Sequence, residues 1–320
     1  MNLSGSVADV KESVPGYHTL YEKGLLHVRV EAVRERLLSC DLCPRKCGVN
    51  RLEGERGYCR SGARAIVASV NPHHGEEPCL SGTRGSGTIF FSNCTAHCIF
   101  CQNYPISQLG LGSERSTAEL AEAMLSLQRR GCHNINLVTP THFLPQILSA
   151  LEKAVGGGLR IPLVYNTSGY ERVSVLKLLD GIIDIYLPDA KYADEDVAHE
   201  LSGFDDYVEC NRRALVEMQR QVGEELILDE KGIAQRGLII RHLVLPHGLS
   251  QTEQVLSWIA ENLSKRTYIS LMAQYFPAYK AVDHPKLGRR LLPHEYAAAL
   301  EAFDAAGLEN GWRQGVDSIY

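Results

Sequence analysis

No apolar run in the chain reaches the roughly 18 residues that a membrane-spanning helix needs. The opening stretch, MNLSGSVADVKESVPGYHTL, lacks the apolar h-region of a secretory leader. Both absences lead us to expect a cytoplasmic protein with no membrane partner. A basic excess is missing as well. Lys and Arg number 33 against 38 Asp and Glu, for a net charge of −5. Nucleic-acid binders usually carry a basic stripe, and a polybasic lipid anchor needs clustered Lys and Arg, so neither class is expected. There is no internal repeat, no low-complexity tract and no His/His/Glu set at zinc-hydrolase spacing.

What the chain does have, from about residue 85 onward, is a rhythm. Six short β-branched or aromatic runs alternate with amphipathic helical stretches: 88–92, 134–139, 161–167, 183–189, 238–245 and 268–274. Each is apolar on both faces, as buried parallel strands tend to be. Ser116 and Glu119 form a capping box ahead of one intervening helix. Six βα units in series imply a parallel sheet with right-handed crossovers. The expected fold is α/β: a partial (βα)6, TIM-like barrel over residues 85–320 with a C-terminal helical tail. Residues 1–84 form a cysteine-rich N-terminal extension, and an open doubly wound sheet is the alternative. Either way, the chemistry belongs at the C-terminal ends of the strands.

Seven of the ten cysteines fall in two groups. In a cytosolic chain such groups read as metal ligands or redox groups in preference to disulfides. Cys94, Cys98 and Cys101, in CTAHCIFC, directly follow the first strand. Three thiolates with no fourth nearby suit a [4Fe–4S] cluster that keeps one iron open, since full ligation takes four. A zinc site completed by His97 or a distant ligand, or chance clustering, are the alternatives. Cys40, Cys43, Cys47 and Cys59 make a complete four-thiolate set on a turn-rich loop. This second site suits zinc or a fully ligated iron–sulfur cluster, the alternative being a free-thiol segment.

The C-x3-C-x2-C motif, with aromatic Phe100 before its last cysteine, resembles that of the radical S-adenosylmethionine (SAM) enzymes. The surrounding SGTRGSGTIFFSNCTAHCIFCQNYPIS, CDLCPRKCGVNR at 40–51 and GLENGWRQ near the end are similar to the branch around pyruvate formate-lyase activating enzyme. Within that branch they match the functionally undefined homologues that carry the N-terminal CxLCPRxCGVNR segment. The resemblance implies a [4Fe–4S] cluster on Cys94, Cys98 and Cys101, with S-adenosyl-L-methionine on its open iron. It implies reductive cleavage of that cofactor to a 5′-deoxyadenosyl radical that abstracts a substrate hydrogen. An external one-electron reductant such as flavodoxin or ferredoxin is implied, and so is a glycyl-radical enzyme as protein substrate. Modification of another peptide or a small metabolite, or a non-catalytic iron–sulfur adaptor, are the other readings.

Cofactor contacts follow by the same resemblance. LVTPTH stands where relatives carry Gly-Gly-Glu-Pro, which points to Thr139 and Pro140. YNTSGY points to Asn166 and Thr167, and YLPDAKY to Asp189 and Lys191. A plain strand-end salt bridge is the alternative for that last pair. In IIRHLVLP, Arg241 is the candidate contact, with His242 a packing histidine on the opposite face.

Overall fold

The computed structural model describes residues 14–314. Most of the opening stretch read for a leader lies outside the described residues. One sheet holds ten strands. They are β1 (Ala65–His73), β2 (Ser86–Phe91), β3 (Ser113–Arg115), β4 (Ile135–Val138), β5 (Leu163–Thr167), β6 (Ile185–Pro188), β7 (Ile227–Leu228), β8 (Ala234–Leu243), β9 (Tyr268–Met272) and β10 (Asn310–Arg313). Their order is β10-β9-β8-β6-β5-β4-β2-β1-β3, with β7 paired to β8.

The six strands read from the sequence are β2, β4, β5, β6, β8 and β9. All six run parallel, which is the expected α/β partial barrel. Alternation along each strand shows how it is filled. Tyr165, Tyr186 and Ile240 face outward into the main core beneath the helices. Their neighbours Val164, Ile185, Leu187 and Ile239 face inward and pack on Cys79 and Leu80. The short helix Pro78–Ser81 thus plugs the barrel interior.

Two elements extend the expected sheet. β1 lies N-terminal to residue 85 and pairs antiparallel with both β2 and β3. Pro72 within β1 lacks an N–H and speaks against a central strand. It is tolerated because β3 covers only Ala65–Val67, leaving that side of β1 unpaired further on. At the other end, the helix Pro293–Ala305 leads into β10, which lies parallel to β9. The expected helical tail therefore ends in a strand. Among the described residues, no helix is long and apolar enough to cross a membrane.

The helix Thr117–Arg129 carries the capping box read from the sequence, with Ser116 Oγ accepting from the Glu119 N–H and Glu119 accepting from the Ser116 N–H. Losing an N-cap side chain typically costs about 1 kcal/mol. Ser116→Ala is therefore expected to lower stability by about that amount. A urea midpoint unchanged from wild type would contradict the cap's role.

Candidate metal centre

The chain leaves β2 through Asn93, whose φ of 67° turns it sharply. The cysteine loop that follows is pinned on both sides. The His97 and Ile99 amides donate to the Ser202 and Leu201 carbonyls, and the Ala281 amide donates to the Ile99 carbonyl. Phe100 is buried edge-on to Tyr275. Cys98 is buried, and Cys94 and Cys101 are partly so. Burial pushes the Cys94 thiol up to about 12, with the neighbouring Cys98 adding to the shift. Cys98 rises to about 11 through burial, which the Lys191 ammonium partly offsets. The three thiols thus share one pinned loop at the C-terminal end of the first parallel strand.

The neighbouring strand ends meet this loop. Lys191 Nζ lies 2.6 Å from Asp189 Oδ2, so the salt bridge weighed as an alternative is present. Burial works against the Lys191 charge, but Asp189 and then Cys98 outweigh it and hold the amine above its ordinary range. Lys191 therefore serves both a carboxylate and the thiol group. Thr139 sits at φ 59°, an outlier for a β-branched residue. Its amide donates to the Asn166 carbonyl at 2.8 Å, and Pro140 follows as the entry to a 3-10 turn. Such strained positions gather at ligand sites. Gly169, at φ 74°, lets the loop after β5 close on Asp189. A Cβ there would stand 2.2 Å from the Asp189 carbonyl oxygen.

Two expected contacts have partners that the sequence did not reveal. The guanidinium of Arg241 is engaged by Glu76 and Glu77, with Nε at 2.7 Å from Glu77 Oε1. Thr167 Oγ1 donates to Glu171, as does Thr141 Oγ1. Glu171 is fully enclosed, and burial pushes its carboxyl up to about 7. His242 is fully buried and satisfied by the Ala190 carbonyl at 2.6 Å and Thr252 Oγ1 at 2.9 Å, as expected of a packing histidine.

The loop that carries the second cysteine group packs on the loop that carries the first. Cys40, Cys43, Cys47 and Cys59 line one small cavity of about 10 Å³ together with Arg51 and His142. Gly57 is required there, since a Cβ would stand 2.7 Å from Cys47 Sγ. Burial, reinforced by the other three cysteines, raises the Cys43 thiol. Among the described residues, no group of three or more His, Cys, Asp or Glu side chains is already in place to hold a single metal ion. Four thiolates around one zinc would sit about 2.3 Å from it. The four thiols here share a cavity without being drawn together to that degree. Between the two cysteine groups, the Tyr58 ring stacks on His97 at 4.2 Å. Arg45 lies over Tyr58 and donates to the Thr95 and Gly203 carbonyls.

The structure thus places three thiols at the C-terminal end of the first strand of a parallel α/β partial barrel. Residues 88–222 match the family model of the Radical SAM superfamily. An uncharacterized protein of Methanocaldococcus jannaschii is 33% identical over 295 residues, covering 89% of this chain and 80% of the relative. Residues 88–222 thus form a domain of the radical SAM superfamily. Among solved structures, it is similar to HydG, a maturase of the [FeFe]-hydrogenase, at a TM-score of 0.47 and 11% identity over 71% of this chain. It is also similar to methylornithine synthase (PylB), at a TM-score of 0.45 and 13% identity over 72% of this chain. The chain spans 53% of the length of the HydG chain and 66% of the PylB chain.

Glu171 yields a pH test. Its folded carboxyl binds a proton more tightly than the unfolded one, so the stability tied to it is present below the ordinary value and is lost as pH rises through about 7. Glu171→Gln removes that loss. The stability of the variant relative to wild type is expected to rise by about 2–3 kcal/mol between pH 5 and pH 8, read by urea denaturation. A difference that stays flat with pH would contradict the buried, protonated carboxyl.

Proposed function

We propose that this protein reductively cleaves S-adenosyl-L-methionine and delivers the resulting radical to a protein partner, with a glycyl-radical enzyme as the favoured substrate. The observation that carries the reading is the trio Cys94, Cys98 and Cys101 at the end of the first parallel strand, with the Lys191 ammonium beside it. The donor set fits the group. Three thiols suit a [4Fe–4S] cluster with one open iron, and a buried cation offsets part of the charge the thiolates bring. When bound, the cluster and its cofactor supply one-electron cleavage to a 5′-deoxyadenosyl radical.

The chain's own residues hold, orient and shield. Cys94, Cys98 and Cys101 would hold the cluster, and Phe100, buried against Tyr275, steadies the loop that carries them. Thr139, Pro140, Asn166, Thr167, Asp189 and Lys191 offer polar and backbone groups from the neighbouring strand ends. Arg241 is held within the barrel by Glu76 and Glu77. An external one-electron donor such as flavodoxin or ferredoxin is needed. A macromolecular substrate is supported by exposed apolar side chains on the loops that flank the cysteine loop, namely Leu109, Leu111, Phe276 and Val282. Tyr104, stacked on Tyr279 at 5.1 Å, ties those loops together. We assign Cys40, Cys43, Cys47 and Cys59 to a second site that binds zinc or an iron–sulfur cluster.

The test is anaerobic reconstitution with iron and sulfide, reduction, addition of S-adenosyl-L-methionine and chromatography for 5′-deoxyadenosine. Wild type is expected to form it, and Cys98→Ala to abolish it. Cys43→Ala is expected to keep much of the uncoupled cleavage. A well-formed cluster that yields no 5′-deoxyadenosine under strong reduction would leave the non-catalytic adaptor as the better reading. Equal loss in both folded variants would refute the division between the two sites.

A further inference from the structure

His142 contains the most informative unpaired atom at the second site. The residue is 1% exposed and lines the cavity of Cys40, Cys43, Cys47 and Cys59. Its Nε2 lies 2.8 Å from the Ser92 carbonyl oxygen. A carbonyl can only accept, so Nε2 carries the hydrogen. Nδ1 is then a bare lone pair, and it has no hydrogen-bond partner, thiol or otherwise. An unmet buried acceptor is costly in a folded protein, so its retention asks for a cause.

The ring cannot turn away to find another partner. Arg51, itself 1% exposed, donates from Nη1 to the His142 carbonyl at 2.6 Å and from Nη2 to the Gly62 carbonyl at 2.6 Å. The Phe143 ring packs against the imidazole with centroids 4.4 Å apart. One ring nitrogen donating to a backbone carbonyl while the other stands bare is the arrangement found in metal-bound histidines, where the carbonyl fixes tautomer and orientation.

We propose that His142, through Nδ1, is a fifth protein donor at the four-cysteine site, ligating the metal ion or cluster held there. This inference rests on the reading of that site as metal-binding. Four terminal places and five donors leave one thiol exchangeable. Cys47, the least buried of the four, is that thiol. The histidine binds without releasing a proton, whereas each thiol must lose one. His142 also joins the two sites, because the carbonyl that orients it belongs to Ser92, two residues before Cys94.

The experiment uses the full chain with Cys94, Cys98 and Cys101 changed to Ala, so that thiolate binding at the second site is read alone. Co2+ is the probe, added anaerobically. Pulsed electron-spin-echo spectra would be compared between protein with natural-abundance and 15N-labelled histidine. The expected result is one Co2+ per chain with thiolate charge-transfer absorption and a nitrogen modulation that changes on labelling. That modulation should vanish in His142→Ala, which should also bind Co2+ more weakly. The labelling comparison needs no change at residue 142, so misfolding of the Ala variant cannot decide the matter. Thiolate-bound Co2+ with no histidine modulation would overturn the role of His142 while leaving the four-cysteine site standing. No stoichiometric Co2+ binding, unaltered by Cys43→Ala, would overturn the metal site and with it the role of His142.

Discussion

The guanidinium of Arg45 lies at the junction of the two cysteine loops. It comes from the N-terminal loop, between Cys43 and Cys47, and its side chain is only 6% exposed. It meets the Thr95 carbonyl inside the cysteine loop after β2, the Gly203 carbonyl beyond the helix that pins that loop, and the Asp205 carboxylate at 2.7 Å. Its flat face covers Tyr58 at 3.8 Å. A cation withdrawn from water must find such partners, because an unpaired buried charge is costly. With the Tyr58 ring stacked on His97 and Arg60 donating to the Gln108 carbonyl, this side chain ties the two cysteine loops together. Lysine could not substitute, because it lacks the planar fork that reaches several acceptors while stacking on a ring.

Charge is distributed around the strand ends in a consistent way. The thiols are desolvated, which disfavours their anionic form. Lys191 stands beside Cys98 with Asp189 as its second partner, so a positive charge remains near the thiols without being isolated. Deeper in the barrel Arg241 meets Glu76 and Glu77, and burial of that trio is sustained by mutual pairing. Glu171 is the exception, a carboxyl with hydroxyl donors and no cation, and its proton affinity rises accordingly. The strand ends thus keep one ionised pair and one protonable acid within the same set of loops.

The parallel strands were legible because burial on both faces leaves long apolar runs, and the capping box because Ser116 and Glu119 have a fixed spacing. The cysteine motif was legible for the same reason: covalent spacing along one loop survives in the sequence. What remained hidden depends on distant segments meeting. Glu76 and Glu77 look like solvated loop charges until β8 brings Arg241 to them. His142 is one histidine in a loop, and only the approach of Ser92 and Arg51 reveals that its ring is fixed and half-satisfied. β1 was obscured by Pro72, whose cost depends on whether a neighbour strand needs its missing N–H.

Pro72 has a consequence outside the barrel. A sheet that does not close on itself exposes edge strands, and such edges can recruit strands from other molecules. Here one edge is β3, three exposed residues that include Glu114 and Arg115. Beyond its reach, the free side of β1 contains a residue with no hydrogen to donate. A second molecule arriving at that side would find too short and too charged a template to extend. On this side the barrel can therefore stay open without offering a seed for polymerisation.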